Sequence, residues 1–205
     1  MAEIEIRNLV LGMVSTNVWL VKNEETGGLV IIDPADQPDR IDAMIRTMEG
    51  KPEAILLTHG HFDHIGAANA LREKYRIPIY AGEKEAEMLE DPSLNMSENV
   101  SVKMDHPVRE GQVLELAGLS FTAFHTPGHT EGGMCYYLEE HQILFSGDTL
   151  FFGSYGRTDF VGGSSRKMMD SVRRLLRELP PEVQVLPGHM STTSIGQERR
   201  INPLA

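Results

Sequence analysis

Seven side chains able to bind a metal fall at four points of the chain, and the densest point is Thr58-His59-Gly60-His61-Phe62-Asp63-His64-Ile65-Gly66. Three histidines and an aspartate there follow the apolar run Ala54-Ile55-Leu56-Leu57 and precede Ala67-Ala68-Asn69-Ala70-Leu71, which makes the stretch a strand-to-helix turn. From the extended side of such a turn His59 and His61 converge on one point, while Asp63 and His64 turn towards a second. A helix cap needs one such side chain, not four, so the pattern reads as a metal cluster for two ions. Four neighbouring residues cannot enclose two ions, and the remaining ligands must come from elsewhere.

They appear where apolar strands end. Phe121-Thr122-Ala123-Phe124 leads to His125-Thr126-Pro127-Gly128-His129, Ile143-Leu144-Phe145 leads to Ser146-Gly147-Asp148, and Val183 to Leu186 leads to Pro187-Gly188-His189. Strand ends on one rim of a sandwich converge on one cleft, so His129, Asp148 and His189 complete the set. His125 competes with His129 but precedes Thr-Pro rather than following Pro-Gly, and fits better as a hydrogen-bonding neighbour of a ligand. His106 and His141 lie in polar turns and read as solvated.

The elements that must position these residues alternate. Ile4 to Val10, Thr16 to Val21 and Leu29 to Ile32 read as a strand meander ending at Asp33-Pro34. A helix opens near Pro38-Asp39, and Gly50 and Pro52 close it. After the cluster come a helix over 66–75, a short strand Ile77 to Tyr80, a helix over 83–90 and a polar loop over 91–99. Strands follow at Val113 to Leu116, Leu119 to His125, Met134 to Leu138 and Gln142 to Phe145. Met168, Met169, Val172, Leu175, Leu176 and Leu179 then recur at helical spacing before the last strand at Val183 to Leu186. Two β-rich halves with outer helices imply a sandwich of sheets.

Composition bounds the rest. At 205 residues and 40% hydrophobic, with no linker or repeat, residues 1–205 read as a single domain. A formal charge of −11 argues against a nucleic-acid partner. Nothing resembles a leader peptide or a membrane span, so a cytoplasmic location without membrane attachment is expected. The single Cys135 lies in an apolar run and reads as a packed thiol.

The order His-x-His-x-Asp-His, Gly-His, Gly-Asp, Gly-His, running from Asp33 to His189, resembles the metallo-β-lactamase superfamily, and within it the glyoxalase II group of thioester hydrolases. The resemblance implies an α+β fold, an αββα sandwich of two mixed β-sheets with outer helices. It also implies that His59, His61 and His129 hold a first metal, that Asp63, His64 and His189 hold a second, and that Asp148 bridges them. Zinc is the expected ion, with iron or manganese acceptable to a carboxylate-containing site.

Two divalent ions beside two carboxylates should ionise a shared water near neutral pH, giving a hydroxide that attacks a thioester carbonyl, with Asp63 as the catalytic residue orienting it. The expected partner is a small thioester such as S-lactoylglutathione. The stretches 151–160 and 193–203 look like the short bacterial members of the group. Only sixteen residues follow His189, where longer relatives carry a helical domain that helps bind glutathione.

Tyr155 and Arg157 are candidate substrate contacts, although Arg157 could equally pair with Asp159. The alternative function is a mononuclear-iron persulfide dioxygenase of the same superfamily, which shares the Gly-Arg-Thr-Asp-Phe stretch. Its usual His-Thr-Asp-Gly-Cys stands here as His129-Thr130-Glu131-Gly132-Gly133, which counts against it.

Overall fold

The computed structural model describes residues 2–205. One six-stranded sheet runs β1 (Ile4–Leu11), β2 (Thr16–Asn23), β3 (Gly28–Ile32), β4 (Lys51–Leu56), β5 (Ile79–Gly82) and β6 (His106–Val108) in that spatial order. The other contains β7 (Val113–Leu116), β8 (Leu119–His125), β9 (Met134–Leu138) and β10 (Ile143–Gly147). A separate hairpin of β11 (Leu150–Phe151) and β12 (Ser154–Tyr155) follows, and β13 (Gln184–Pro187) and β14 (Thr193–Ser194) complete the second sheet in the order β14-β13-β10-β9-β8-β7. Both sheets are mixed: β3, β4, β5 and β6 pair in parallel beyond an antiparallel β1-β2-β3 meander, and β10 pairs in parallel with β13 beyond antiparallel neighbours.

Three apolar seams hold the layers together. Val21, Val30, Ile32, Phe121, Tyr136 and Phe145 fill the space between the sheets. Leu20, Leu29, Ile31 and Ile55 pack outward under α1 (Pro38–Thr47) and, beyond the short turn α2 (Phe62–Ile65), under α3 (Ala68–Tyr75). Every residue of β2 and β3 is buried because both faces of these strands are covered, so their sequences lack the alternation of a half-exposed strand.

Short helices α4 (Ala86–Glu90) and α5 (Pro92–Asn95) follow β5. The third seam lies under α6 (Ser165–Glu178), where Met168, Val172, Leu175 and Leu176 form one apolar stripe against Leu144 and Val185. Ser164 caps α6 by accepting from the Lys167 amide, and Leu179 adopts extended backbone ahead of Pro180. The C-terminal α7 (Ile195–Ile201) completes this layer, giving the αββα order.

Several local expectations need correction. Residues 91–99, expected as loop, hold α5, whose N-terminus Asp91 caps from its side chain. His106, expected in a polar turn, begins β6 and stacks on Tyr80. His141, expected to be solvated, is half-buried and donates from Nε2 to the Ala2 carbonyl at 2.8 Å. For the two histidines a tertiary partner distant in sequence decides the environment, whereas α5 is set by its own local cap. Among the described residues, no helix is long and apolar enough to cross a membrane.

Candidate metal centre

The centre lies along one rim of the sandwich, where β3, β4, β8, β10 and β13 all end. Asp33 follows β3 directly, His59 comes three residues after β4, His129 four after β8, Asp148 one after β10 and His189 two after β13. All seven expected ligands are brought together. Their ligand atoms form three overlapping groups, His59 with His61 and His129, His59 with His64 and Asp148, and Asp63 with His64 and His189, the atoms of each lying within 4.8 Å of one another.

Hydrogen bonds around the rim set the ring tautomers. His129 Nδ1 faces the Arg157 carbonyl at 2.7 Å, which can only accept, so the proton sits on Nδ1 and the lone pair on Nε2, which faces His61 Nδ1 at 2.8 Å. His64 Nδ1 faces Asp33 Oδ2 at 2.9 Å, leaving its Nε2 as the acceptor. The Thr58 hydroxyl donates to Asp33 Oδ2 at 2.6 Å and therefore accepts from His59 Nδ1 at 3.1 Å, which again frees Nε2. Asp33 also takes the Thr58 amide at 2.7 Å. Through this network one carboxylate orients two ligand rings and the backbone between β4 and the cluster.

The freed atoms are where an ion needs them. His59 Nε2, His64 Nε2 and Asp148 Oδ1 are buried without a hydrogen-bond partner among the described residues, and His61 turns its Nδ1 towards His129 Nε2 at 2.8 Å. His64 Nε2 stands 3.4 Å from Asp63 Oδ2 and 3.3 Å from Asp148 Oδ1, and His189 Nε2 stands 3.2 Å from Asp63 Oδ2 and 3.5 Å from Asp148 Oδ2. Two donors on a tetrahedral zinc are separated by about 3.4 Å when each bond is about 2.1 Å long. Asp148 reaches both sides, because its Oδ2 is also 3.5 Å from His129 Nε2. A Cβ at Gly188 would stand 2.5 Å from Asp148 Oδ1 and 2.6 Å from the His64 ring, so the residue before His189 must lack a side chain for the donors to face each other. The residues present therefore fit two divalent ions.

The electrostatics agree with that fit. Burial, with the neighbouring imidazoles, holds His59 far below its ordinary range, and burial pulls His61 down to about 3, so both rings are neutral donors of lone pairs. Burial disfavours charge on Asp63, but His64, His189 and the Thr16 hydroxyl at 2.8 Å outweigh it and keep the carboxyl well below the usual range. Asp148 is likewise lowered, with His64 overcoming burial. Burial works against charge on His64 and His189 too, yet the facing carboxylates Asp63 and Asp148 raise both. Two largely covered carboxylates compensated chiefly by imidazoles make a site that gains when cations replace the imidazole protons.

Residues outside the ligand set hold the rim in shape. Glu85, wholly buried, accepts the Gly60 amide at 2.7 Å and the Gly132 amide at 2.8 Å, tying the His59–His61 turn to the loop after His129. Asn17 and Trp19 side chains each donate to the Pro187 carbonyl at 3.0 Å and fasten the turn carrying His189. His125 enters none of the metal groups and donates from Nε2 to the Glu131 carbonyl at 2.9 Å, so it is not hydrogen-bonded to a ligand as expected but to the loop that follows His129. Arg157 makes two 2.7 Å bonds to Asp159 and stacks 3.9 Å from the Phe160 ring, while Tyr155 lines the cleft. Asp33, Glu85 and Thr16 were missed as site residues. For Asp33 a signal existed, an aspartate at the end of an apolar strand, as with Asp148 after β10; Glu85 and Thr16 carry none.

Cys135 is buried, and burial pushes its thiol up to about 11, in keeping with a packed residue.

Residues 11–189 match the family model of the metallo-beta-lactamase superfamily, and the chain belongs to that superfamily. It is 34% identical over 194 residues to the hydroxyacylglutathione hydrolase GloC of Haemophilus influenzae, 91% of each chain being covered. Among solved structures it resembles the B3 metallo-beta-lactamase BLEG-1, with 37% identity and a TM-score of 0.92 over 97% of this chain and 98% of that one. It also resembles TTHA1623 in a di-iron-bound form, with 38% identity and a TM-score of 0.87 over 97% of this chain and 100% of that one.

Proposed function

We propose that the chain, acting as one domain over residues 1–205, is a dinuclear metallo-hydrolase that cleaves small hydroxyacyl thioesters such as S-lactoylglutathione. In this reading His59, His61 and His129 hold one divalent ion, Asp63, His64 and His189 hold the other, and Asp148 lies between them. The observation that carries it is the pair of donor groups meeting at Asp148 on the floor of an open cleft of about 510 Å³. The 34% identity to GloC across 91% of both chains supports the thioester class.

Ions bound there would supply a water ionised near neutral pH and a Lewis acid for the carbonyl. The protein's own part is positioning. Asp63 offers one oxygen to the ion and, with Thr16 donating to it at 2.8 Å, is held in the rotamer that faces the cleft, where it can accept a hydrogen bond from the attacking water. Asp33 and the Arg157 carbonyl keep His64 and His129 in the tautomers that point a lone pair inward. Phe151, Phe160 and Phe62 wall the cleft and exclude bulk water from the reacting carbonyl.

Zinc is proposed as the ion. Iron is a real contender given the di-iron form of TTHA1623, and manganese would suit the same donors. A one-iron oxidative chemistry is disfavoured because the second donor group, Asp63 with His64 and His189, is as complete as the first.

The test is elemental analysis of the purified protein coupled to rates on S-lactoylglutathione, a β-lactam, and glutathione persulfide with oxygen uptake. About two metals per chain are expected, with kcat/KM for the thioester exceeding that for the lactam by about a thousandfold or more. One metal per chain with oxygen uptake, or preferential opening of the lactam, would overturn the reading.

A further inference from the structure

The tip of the β1-β2 hairpin breaks a local rule. Tight turns between strands take small or polar residues, yet Gly12 is followed by Met13, which is 90% exposed, and Val14, 49% exposed. The same rule is broken at two further points around the cleft. Met96, 38% exposed, caps α5 in an otherwise polar segment, and Met190, 56% exposed, follows His189; both have left-handed backbone, at φ of +63° and +68°. Scattered exposed apolar residues are ordinary, but Val14, Met96 and Met190 all line the metal cleft.

The cleft also does not end at the metal groups. On the Asp63 side a second groove of about 460 Å³ shares Phe62, Asp63 and Met96 with it and continues past Met13 and Val100. Its charged members are Asp36, Asp63 and Glu98, and no Lys or Arg lines it. In the cleft itself the single Lys or Arg is Arg157, already engaged by Asp159 through two hydrogen bonds.

We infer that this groove receives the acyl chain of the substrate, an unbranched alkyl group of about six to eight carbons, placed against Phe62, Met96 and Met13 with its carbonyl over the metal groups. The inference rests on the thioesterase reading and narrows its substrate class from short hydroxyacyl groups towards medium-chain acyl thioesters. The argument is one of polarity and continuity. Carriers of thioesters present carboxylates or phosphates on the thiol side, and a groove flanked by Asp36 and Glu98 repels those groups, so the uncharged acyl arm is the one that fits. Methionine side chains are unbranched and adaptable, which suits a flexible chain of variable length better than a rigid pocket would. Because the groove opens to water on one side, each methylene is only partly desolvated, and about twofold per methylene is expected instead of the roughly fourfold of full burial.

The experiment uses the metal-loaded full chain in two parallel series. S-alkyl thioethers of N-acetylcysteamine, which cannot be hydrolysed, are titrated calorimetrically from ethyl to octyl, and the matching S-acyl thioesters are assayed from acetyl to octanoyl. Binding should tighten by about 60-fold from ethyl to octyl. Met13→Asp, at a position too exposed to disturb folding, should reduce the octyl-to-ethyl ratio by about tenfold or more, through the cost of bringing an alkyl chain against a carboxylate. Affinity independent of chain length, or a ratio unchanged in Met13→Asp, overturns the groove assignment. Chain-length-dependent binding with no hydrolysis of any acyl thioester leaves the groove standing and overturns the thioesterase reading instead.

Discussion

At the floor of the cleft His59, His61 and His64 are buried, and the ring nitrogens of His59 and His64 that turn away from the centre meet fixed partners in Thr58 and Asp33. At its mouth Met96 and Met190 stand partly in water, and neither thioether is held by a side-chain hydrogen bond. The floor is over-determined, since moving one ligand strands buried polar atoms, each costing about 1–3 kcal/mol when left unsatisfied. The mouth is under-determined, and exchanging one methionine for another apolar side chain there strands nothing. A catalytic centre whose geometry cannot drift is thus joined to walls that can adapt to substrate, and substitutions should divide sharply between the two regions.

The largest effect should come at Asp148, whose two oxygens face His129 on one side and His64 and His189 on the other. Asp148→Ala removes one of the two carboxylates that would compensate the proposed ions and should lower the metal content of both sites, with a loss of about a thousandfold or more in kcat. Elemental analysis and steady-state rates check it; a variant with full metal content and an unaltered rate would contradict the bridging position. The same chemistry gives a pH dependence. His64 and His189 are held protonated above the usual imidazole range by their carboxylates, and an ion must displace those protons. Metal affinity should therefore weaken as pH falls and strengthen as it rises, with measurable proton release on loading.

Asp33 is the next step down. Asp33→Asn can still accept, but its amide nitrogen has no business facing the His64 and Thr58 donors, so one of the two rings loses its orientation. About 10–100-fold in metal affinity is expected, the usual cost of removing such a partner. His125→Ala should cost no more than that in rate, because its ring hydrogen-bonds the Glu131 carbonyl and no ligand, whereas His129→Ala should cost orders of magnitude. Equal losses at the two histidines would show that both bind the ion.

How far the chain could be read in advance follows the same division. The floor was legible because the chemistry leaves little choice of residue: histidines and aspartates placed directly after apolar strands, with glycine beside them, stand out against the strands themselves. The sandwich was legible through the two β-rich halves with outer helices, among them the stripe of Met168, Val172 and Leu175. Glu85 was not read as a site residue, because what makes it functional is a contact across 25 residues, with Gly60, which leaves no local pattern; Asp33 did stand at the end of an apolar strand, but its role comes from contacts with Thr58 and His64 that only the fold reveals. Met96 was hidden in the polar segment 91–99 for a related reason: α5 and the left-handed turn at Met96 aim it at the cleft, and only tertiary packing reveals that direction. Residues that must satisfy a metal announce themselves, and residues that need only be apolar do not.

The smallest effect concerns the far end of a glutathione thioester, and it tests the mouth directly. Two carboxylates of the tripeptide would need cations, and Arg157 is the single candidate in the cleft. Its guanidinium is exposed, paired bidentately with Asp159 and laid over Phe160, so a substrate carboxylate must displace an existing partner and gains only the difference between two exposed ion pairs. Solvent screens both pairs, so the net gain from exchanging one for another is small. Trimming S-lactoylglutathione to the lactoyl thioester of a small thiol should then change kcat/KM by less than about tenfold, or roughly 1.4 kcal/mol. A loss of about a thousandfold on trimming would instead mean that Arg157 and Tyr155 form a dedicated glutathione site, with the Asp159 pair opening when substrate arrives, and the mouth would prove as determined as the floor.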